Sequence, residues 1–198
     1  YNCLLWTDLA QSMEIGYETV GEVMEDITFD NIYVLHNYHK AIISIHNGNN
    51  AKIKDVHFTN ITIEDASVNN GDGWPYIVDI RNIFSSTWST NHKTTALGEI
   101  DGVELSNIKV IKGIEHPEIL INGCVDTRDG YNNSLHYVKN VSFTDFLLYD
   151  QILNNQFSGY HTNEYVDNIT FNSTGAIVKG AIYNPLDVSQ YGNNYIIV

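Results

Sequence analysis

Positive charge is scarce in this chain. Ten lysines and arginines stand against 24 aspartates and glutamates, the formal net charge is −14, and the arginines are Arg81 and Arg128 alone. A surface this acidic repels nucleic acid and anionic lipid, and it is a poor general partner for polyanionic sugars such as pectate. Neutral polysaccharide suits the long-range field better. Cysteine is almost absent. Cys3 and Cys124 carry no CxxC or metal spacing, so both read as small buried hydrophobes, with a bond between them the lesser reading. No apolar run reaches eighteen residues, so nothing in the chain is expected to span a membrane. Blocks of helix formers are missing too, and with charged residues at only 17% the remaining pattern is that of strands.

What is present is a repeated phrase. Asp26-Ile27-Thr28-Phe29-Asp30-Asn31-Ile32, Asp55-Val56-His57-Phe58-Thr59-Asn60-Ile61 and Gly102-Val103-Glu104-Leu105-Ser106-Asn107-Ile108 share one pattern. Asn140-Val141-Ser142-Phe143-Thr144-Asp145-Phe146 and Asn168-Ile169-Thr170-Phe171-Asn172-Ser173 are looser copies. Each alternates apolar and polar residues, which is strand periodicity, and breaks at an Asx where a strand must bend. The copies start 29, 47, 38 and 28 residues apart. The short intervals suit one turn of a parallel β-helix, and the long ones imply a turn carrying an inserted loop. Between copies lie Ala41–Ile45, Tyr76–Ile80 and Glu118–Ile121, expected as a second or third face. Stacked turns would align Ile27, Val56, Val103, Val141 and Ile169 in one aliphatic column. Phe29, Phe58, Leu105, Phe143 and Phe171 would form a second. The fold class expected is therefore all-β, a right-handed parallel β-helix (solenoid) forming a single domain over residues 1–198. A β-sandwich is the alternative, but it gives no reason for five copies in register.

The chain starts at Tyr1, without methionine, inside the strand-like run Asn2–Trp6. Open ends of stacked repeats need caps, and none is apparent here. The expectation is an N-terminally incomplete domain, the C-terminal part of a longer one, from an extracellular or periplasmic protein. Sequons occur at Asn60, Asn132, Asn140, Asn168 and Asn172. Three of them (Asn60, Asn140, Asn168) fall within the repeat phrase, which generates such triplets by itself.

Residues 6–19 gather Asp8, Gln11, Glu14 and Glu18 with Trp6 and Tyr17. Polar side chains beside aromatic faces are what a sugar site needs: hydrogen bonds for hydroxyls, flat rings for pyranose faces. His36, His39, His46 and Asn47 are expected on a common face, and the loop Asn69–Tyr76 adds Trp74. Each also has a plainer reading, as a corner carboxylate or a structural histidine at a strand end. The substrate-binding candidates are thus Asp8, Gln11, Glu14, Tyr17, Glu18, His36, His46 and Trp74. His36-x-x-His39 with His46 lacks a carboxylate or cysteine to complete a metal set, and no metal or cofactor is expected.

Asn2-Cys3, Ser12-Met13-Glu14-Ile15-Gly16 and Ile27–Ile32 together resemble the second half of the polygalacturonase-type right-handed β-helix glycoside hydrolases. The later order is similar too: Phe58–Ile61, Tyr76–Ile80, then His116-Pro117-Glu118-Ile119-Leu120-Ile121-Asn122-Gly123. Glu14-Ile15-Gly16-Tyr17 leading to Tyr33-Val34-Leu35-His36 is similar to the dextranase-like branch, which cleaves neutral α-glucans. Two departures point away from pectin. The family's Gly-His-Gly turn is Ala10-Gln11-Ser12 here, and its uronate-gripping Arg-Ile-Lys is Ser44-Ile45-His46. Losing those cations removes the charge-assisted bonds that would select galacturonate. The family's catalytic aspartates, including an Asp-Asp pair, would lie upstream of Tyr1, and no Asp-Asp occurs in this chain.

The resemblance implies part of an extracellular glycoside hydrolase acting on a polysaccharide or oligosaccharide, inactive in isolation, with neutral glycan favoured. Inverting hydrolysis needs an acid and a base on opposite faces of the bond, and Asp8, Glu14 and Glu18 are the only clustered carboxylates; substrate contact is the role expected of them. Two alternatives stay open. One is a polysaccharide lyase or uronan-active enzyme using Arg81. The other is a non-catalytic glycan-binding or adhesin β-helix.

Overall fold

The alternating, β-branched repeats do form strands, as such residues pack well on a pleated half-buried surface. The computed structural model describes residues 1–71, 73–84 and 96–182, and within them the chain is all-β. In chain order the strands are β1 (Cys3–Thr7), β2 (Met13–Tyr17), β3 (Val23–Asn37), β4 (Ile43–Asn47), β5 (Lys52–Ala66), β6 (Tyr76–Asn82), β7 (Glu99–Gly113), β8 (Glu118–Asn122), β9 (Cys124–Asp126), β10 (Ser134–His136), β11 (Val138–Leu148), β12 (Gln151–Ile152), β13 (Tyr160–Thr162) and β14 (Val166–Asn172).

These strands alternate between two parallel sheets. The first runs β1-β3-β5-β7-β11, with β14 and the short antiparallel β12 both on β11. The second runs β2-β4-β6-β8-β13. Apart from the short β12, pairing in both main sheets is parallel, which excludes the antiparallel sandwich. The hairpin β9–β10 forms a separate antiparallel pair and occupies the longer interval before Asn140. The longest interval, before Gly102, includes residues 85–95, which lie outside the described residues.

The register aligns the repeat phrases as the sequence predicts. Ile27, Val56, Val103, Val141 and Ile169 are successive partners, and so are Phe29, Phe58, Leu105, Phe143 and Phe171. Neighbouring strands sit about 4.8 Å apart, which is also ring-stacking distance. Phe29 and Phe58 accordingly stack at 4.7 Å and 5°, and Phe143 and Phe171 at 5.0 Å and 14°. The second sheet contributes Ile15, Ile45, Ile80 and Ile121 to the same core.

Each long strand is bent where the phrase carries its Asx. Asp26, Asp55, Gly102, Asn140 and Asn168 form one column of left-handed residues, and Asn31, Asn60, Asn107 and Asp145 a second, with φ between 52 and 83°. Their side chains bond along the columns. Asn31 Nδ2 donates to Asn2 Oδ1 at 2.8 Å, Asn107 Nδ2 to Asn60 Oδ1 at 2.7 Å, and Asn168 Nδ2 to Asn140 Oδ1 at 2.6 Å. Sequons at Asn60, Asn140 and Asn168 are therefore corner residues with engaged amide nitrogens.

Two sequence expectations need correction. Cys3 is exposed rather than buried, because β1 is an edge strand; Cys124 is half-buried, and burial with Asp126 nearby pushes its thiol up to about 11. Both cysteines are free. The edges matter in a second way. Val56, Phe58 and Ile45 are fully buried, whereas their partners Ile27, Phe29 and Ile15 on the β1–β2 side are only partly covered.

Asn107 tests the corner columns. Its Oδ1 also accepts the Lys179 and Gly180 N–H groups, anchoring the segment after β14. Asn107→Ala is expected to cost about 2–4 kcal/mol, from lost hydrogen bonds plus left-handed strain. Asn107→Gly, which removes the strain, should recover roughly 1 kcal/mol. Urea unfolding followed by circular dichroism measures both.

Candidate functional site

In the second sheet, residues that alternate with the buried isoleucines fall on the opposite face. Register lines up Glu14, Ser44 and Asp79 in one row, and Gly16, His46 and Arg81 in the next. The polar side chains of three adjacent strands therefore meet without any loop having to place them. A Cβ at Gly16 would sit 2.4 Å from the His46 carbonyl oxygen, and φ there is +143°. With no side chain at 16, Tyr17 stacks on the His46 ring at 4.6 Å and 30°.

His46 lies between two carboxylates. Its Nδ1 is 2.6 Å from Glu14 Oε1, and its Nε2 is 3.0 Å from Asp79 Oδ2. Only an imidazolium can donate from both nitrogens, so this geometry calls for the protonated ring. Burial opposes that charge, since His46 is 1% exposed, but the hydrogen bonds from Asp79 and Glu14 outweigh it and hold the pKa above its ordinary value. Arg81 Nη2, 3.4 Å from His46 Nε2, is then a cationic neighbour and not a bonding partner; it works in the opposite direction. Asp79, 3% exposed, also accepts Arg81 Nε at 2.6 Å and Nη2 at 2.7 Å. Two buried or half-buried anions thus meet two cations, and the group is close to neutral.

Beside it lies an open pocket of about 50 Å³ lined by Gln11, Tyr17, Lys40, Ala41, His46, Trp74, Asp79 and Arg81. That is room for about one or two water-sized groups. A ligand larger than this would lie across the mouth and insert a single polar group. Trp74, 48% exposed, stacks on Tyr76 at 5.9 Å and lies 6.0 Å from the Arg81 guanidinium. Burial raises the Tyr17 and Tyr76 phenols above their ordinary value, so both remain hydroxyl donors. The site offers fixed donors and acceptors beside flat rings, and each of its carboxylates accepts N–H bonds from a cation.

Of the residues predicted from sequence, Gln11, Tyr17, His46 and Trp74 line this pocket, and Glu14 reaches it through His46. Asp8 and His36 come together elsewhere, with Asp65, Trp6 and Tyr38. The expected common face of histidines does not form, because residues 38–42 carry the chain from one sheet to the other between His36 and His46. His39 is buried against the Leu9 carbonyl oxygen, and Asn47 is an interior residue bonded to Thr19, Ala51 and Asn82. Glu18 is exposed just beyond β2, in neither group. Asp72, in the Trp74 loop, lies outside the described residues. Sequence reading missed Asp79 and Lys40. The available signal for Asp79 was the pair Asp79-x-Arg81, two charges on one face of an otherwise apolar strand.

A raised His46 pKa makes stability depend on pH. The contribution is complete below the ordinary value of 6.5 and is lost as pH rises through the folded-state value. Urea midpoints measured upward from about pH 5.5 should therefore fall across that window. His46→Gln should lower the midpoint throughout and flatten this slope, with Glu14, Asp79, Arg81 and Tyr17 still facing the position. Searches against protein-family models, curated proteins and solved structures find no match to this chain.

Proposed function

We propose that the two parallel sheets are faces of a right-handed parallel β-helix, and that the chain is the C-terminal part of an extracellular glycoside hydrolase handling a neutral polysaccharide. Strand–crossover–strand connections between parallel neighbours are right-handed in about 98% of cases, which supports the handedness. One observation carries the function: a near-neutral, internally bonded quartet of Glu14, His46, Asp79 and Arg81 next to exposed, stacked Trp74 and Tyr76. Hydroxyls of a sugar can bond the pocket's polar edges while its apolar face covers the indole.

The same quartet argues against catalysis by this chain alone. A general acid must carry a proton, but Glu14 accepts from an imidazolium and Asp79 from both His46 and a bidentate arginine. In this reading the acid and base lie on repeats that continue past β1 and β2. Among the described residues no strand pairs with the outer edges of β1 and β2, and with the half-covered Ile15, Ile27 and Phe29 beneath them this supports such a continuation. Arg81 could suggest a uronan-active enzyme. Its Nε and Nη2 are already spent on Asp79, which uses the fork that would clamp a substrate carboxylate.

The purified chain should bind soluble neutral glucans and release no reducing ends from them. Trp74→Ala should weaken binding roughly five- to tenfold, in line with the loss of one stacking contact. Robust turnover by the isolated chain, abolished in Glu14→Gln, would overturn the inactive-half reading. Tighter binding of polygalacturonate than of neutral glucan would favour the uronan-active alternative, and chelator-sensitive cleavage would point to a lyase.

A further inference from the structure

A second group of rings lies beyond the pocket. A register shift between Leu5 and Trp6 sets Trp6 opposite His36 instead of Leu35, and such bulges re-aim side chains. The Trp6 ring then lies 4.9 Å from His36, with Tyr38 5.8 Å from the same imidazole on its other neighbour contact. The group is held in place by polar bonds. Trp6 Nε1 donates to Asp8 Oδ1 at 2.9 Å, Asp8 Oδ1 is 3.7 Å from His36 Nε2, and Asp65 Oδ2 is 3.0 Å from His36 Nδ1. Ser67 Oγ donates to Asp65 Oδ1 at 2.6 Å, fixing that carboxylate in turn. Yet Trp6 is 59% and Tyr38 45% exposed. A bonded indole and a tyrosine ring packed on the same anchored imidazole, both left open to solvent, suit recognition better than core packing.

The two groups are continuous along the chain. Asp8 and Tyr38 belong to the ring group, and Gln11 and Lys40, three and two residues further on, line the pocket. The Tyr38 N–H donates to the Thr7 carbonyl and Ser12 Oγ to Asn37 Oδ1, tying both connections together. We propose that Trp6, His36 and Tyr38 form a remote stacking platform for the same glycan whose nearer unit meets the pocket, so that the ligand is an extended polymer and not a short oligosaccharide. This rests on the carbohydrate reading of the pocket. The chemistry at the platform is that of a neutral ring: Asp8, with its side chain 71% exposed, offers acceptor oxygens to hydroxyls and repels phosphate or uronate.

The test uses the full chain in native gels containing soluble dextran, with isomaltotriose titrated separately by intrinsic fluorescence. Trp6→Ala should weaken retardation by dextran roughly fivefold or more, leave the isomaltotriose titration unchanged, and be largely rescued by Trp6→Phe. Tyr38→Ala should act in the same direction. If both alanine variants are retarded like wild type while Trp74→Ala is not retarded, the platform is refuted and the pocket reading stands. If wild type is retarded by neither dextran, pullulan nor a mixed-linkage β-glucan, both readings fall. Equal weakening of dextran and isomaltotriose binding by Trp6→Ala would also refute a remote platform, since it would make Trp6 part of the pocket itself.

Discussion

Everything in this structure depends on the backbone turning left-handed at the same two points of every long strand. For most residues that conformation costs about 1–2 kcal/mol, and asparagine and aspartate reduce the cost by bonding locally. Here they do more, because equivalent residues lie one strand spacing apart and their amides can bond in a column, as Asn107 does to Asn60 and Asn168 to Asn140. A slip of one residue would break every such bond and turn Phe58 and Val56 from the core to solvent. Corner chemistry and core pattern therefore enforce one register.

That register is also what assembles the site. Glu14, His46, Asp79 and Arg81 come from three strands separated by long stretches of sequence, and they meet because β2, β4 and β6 pair in a fixed alignment. Once together, they are mutually dependent. Removing one charge from a buried pair leaves the other uncompensated, a cost of about 3–5 kcal/mol, so the four side chains hold one another in place. Such a surface presents a fixed pattern of donors and acceptors.

The first sheet was legible because its phrase repeats: the positions of Ile27, Phe29 and Asn31 predict their partners strand by strand. The second sheet has no such phrase. Met13–Tyr17, Ile43–Asn47 and Tyr76–Asn82 share only apolar alternation, so nothing in the sequence says that Asp79 lies beside Ser44 or that Arg81 lies beside His46. The histidines show the same limit. His36 and His46 are ten residues apart and look equivalent, but a change of sheet separates them and sends one to Asp65 and the other to Asp79. Glu18 is near the site in sequence, but the turn after β2 leaves it exposed and outside both groups.

Net charge deserves a different weight once the corners are seen. Asp26, Asp55 and Asp145 occupy left-handed positions. Asp30 accepts the Asn60 and Thr59 side chains, and Asp101 accepts Asn140. These acidic residues answer to the demands of strand bending, where asparagine or aspartate is needed, and not to any ligand. Part of the chain's acidity is thus a by-product of its architecture. Long-range repulsion of polyanions follows from it, screened over about 8 Å at physiological salt, but discrimination at contact distance belongs to the pocket. There the Glu14, His46, Asp79 and Arg81 charges cancel in pairs, and a ligand carboxylate aimed at the Arg81 fork would have to displace Asp79 from it. A neutral hydroxyl approaching the same fork would break none of these bonds, which is the physical basis of the neutral-glycan proposal.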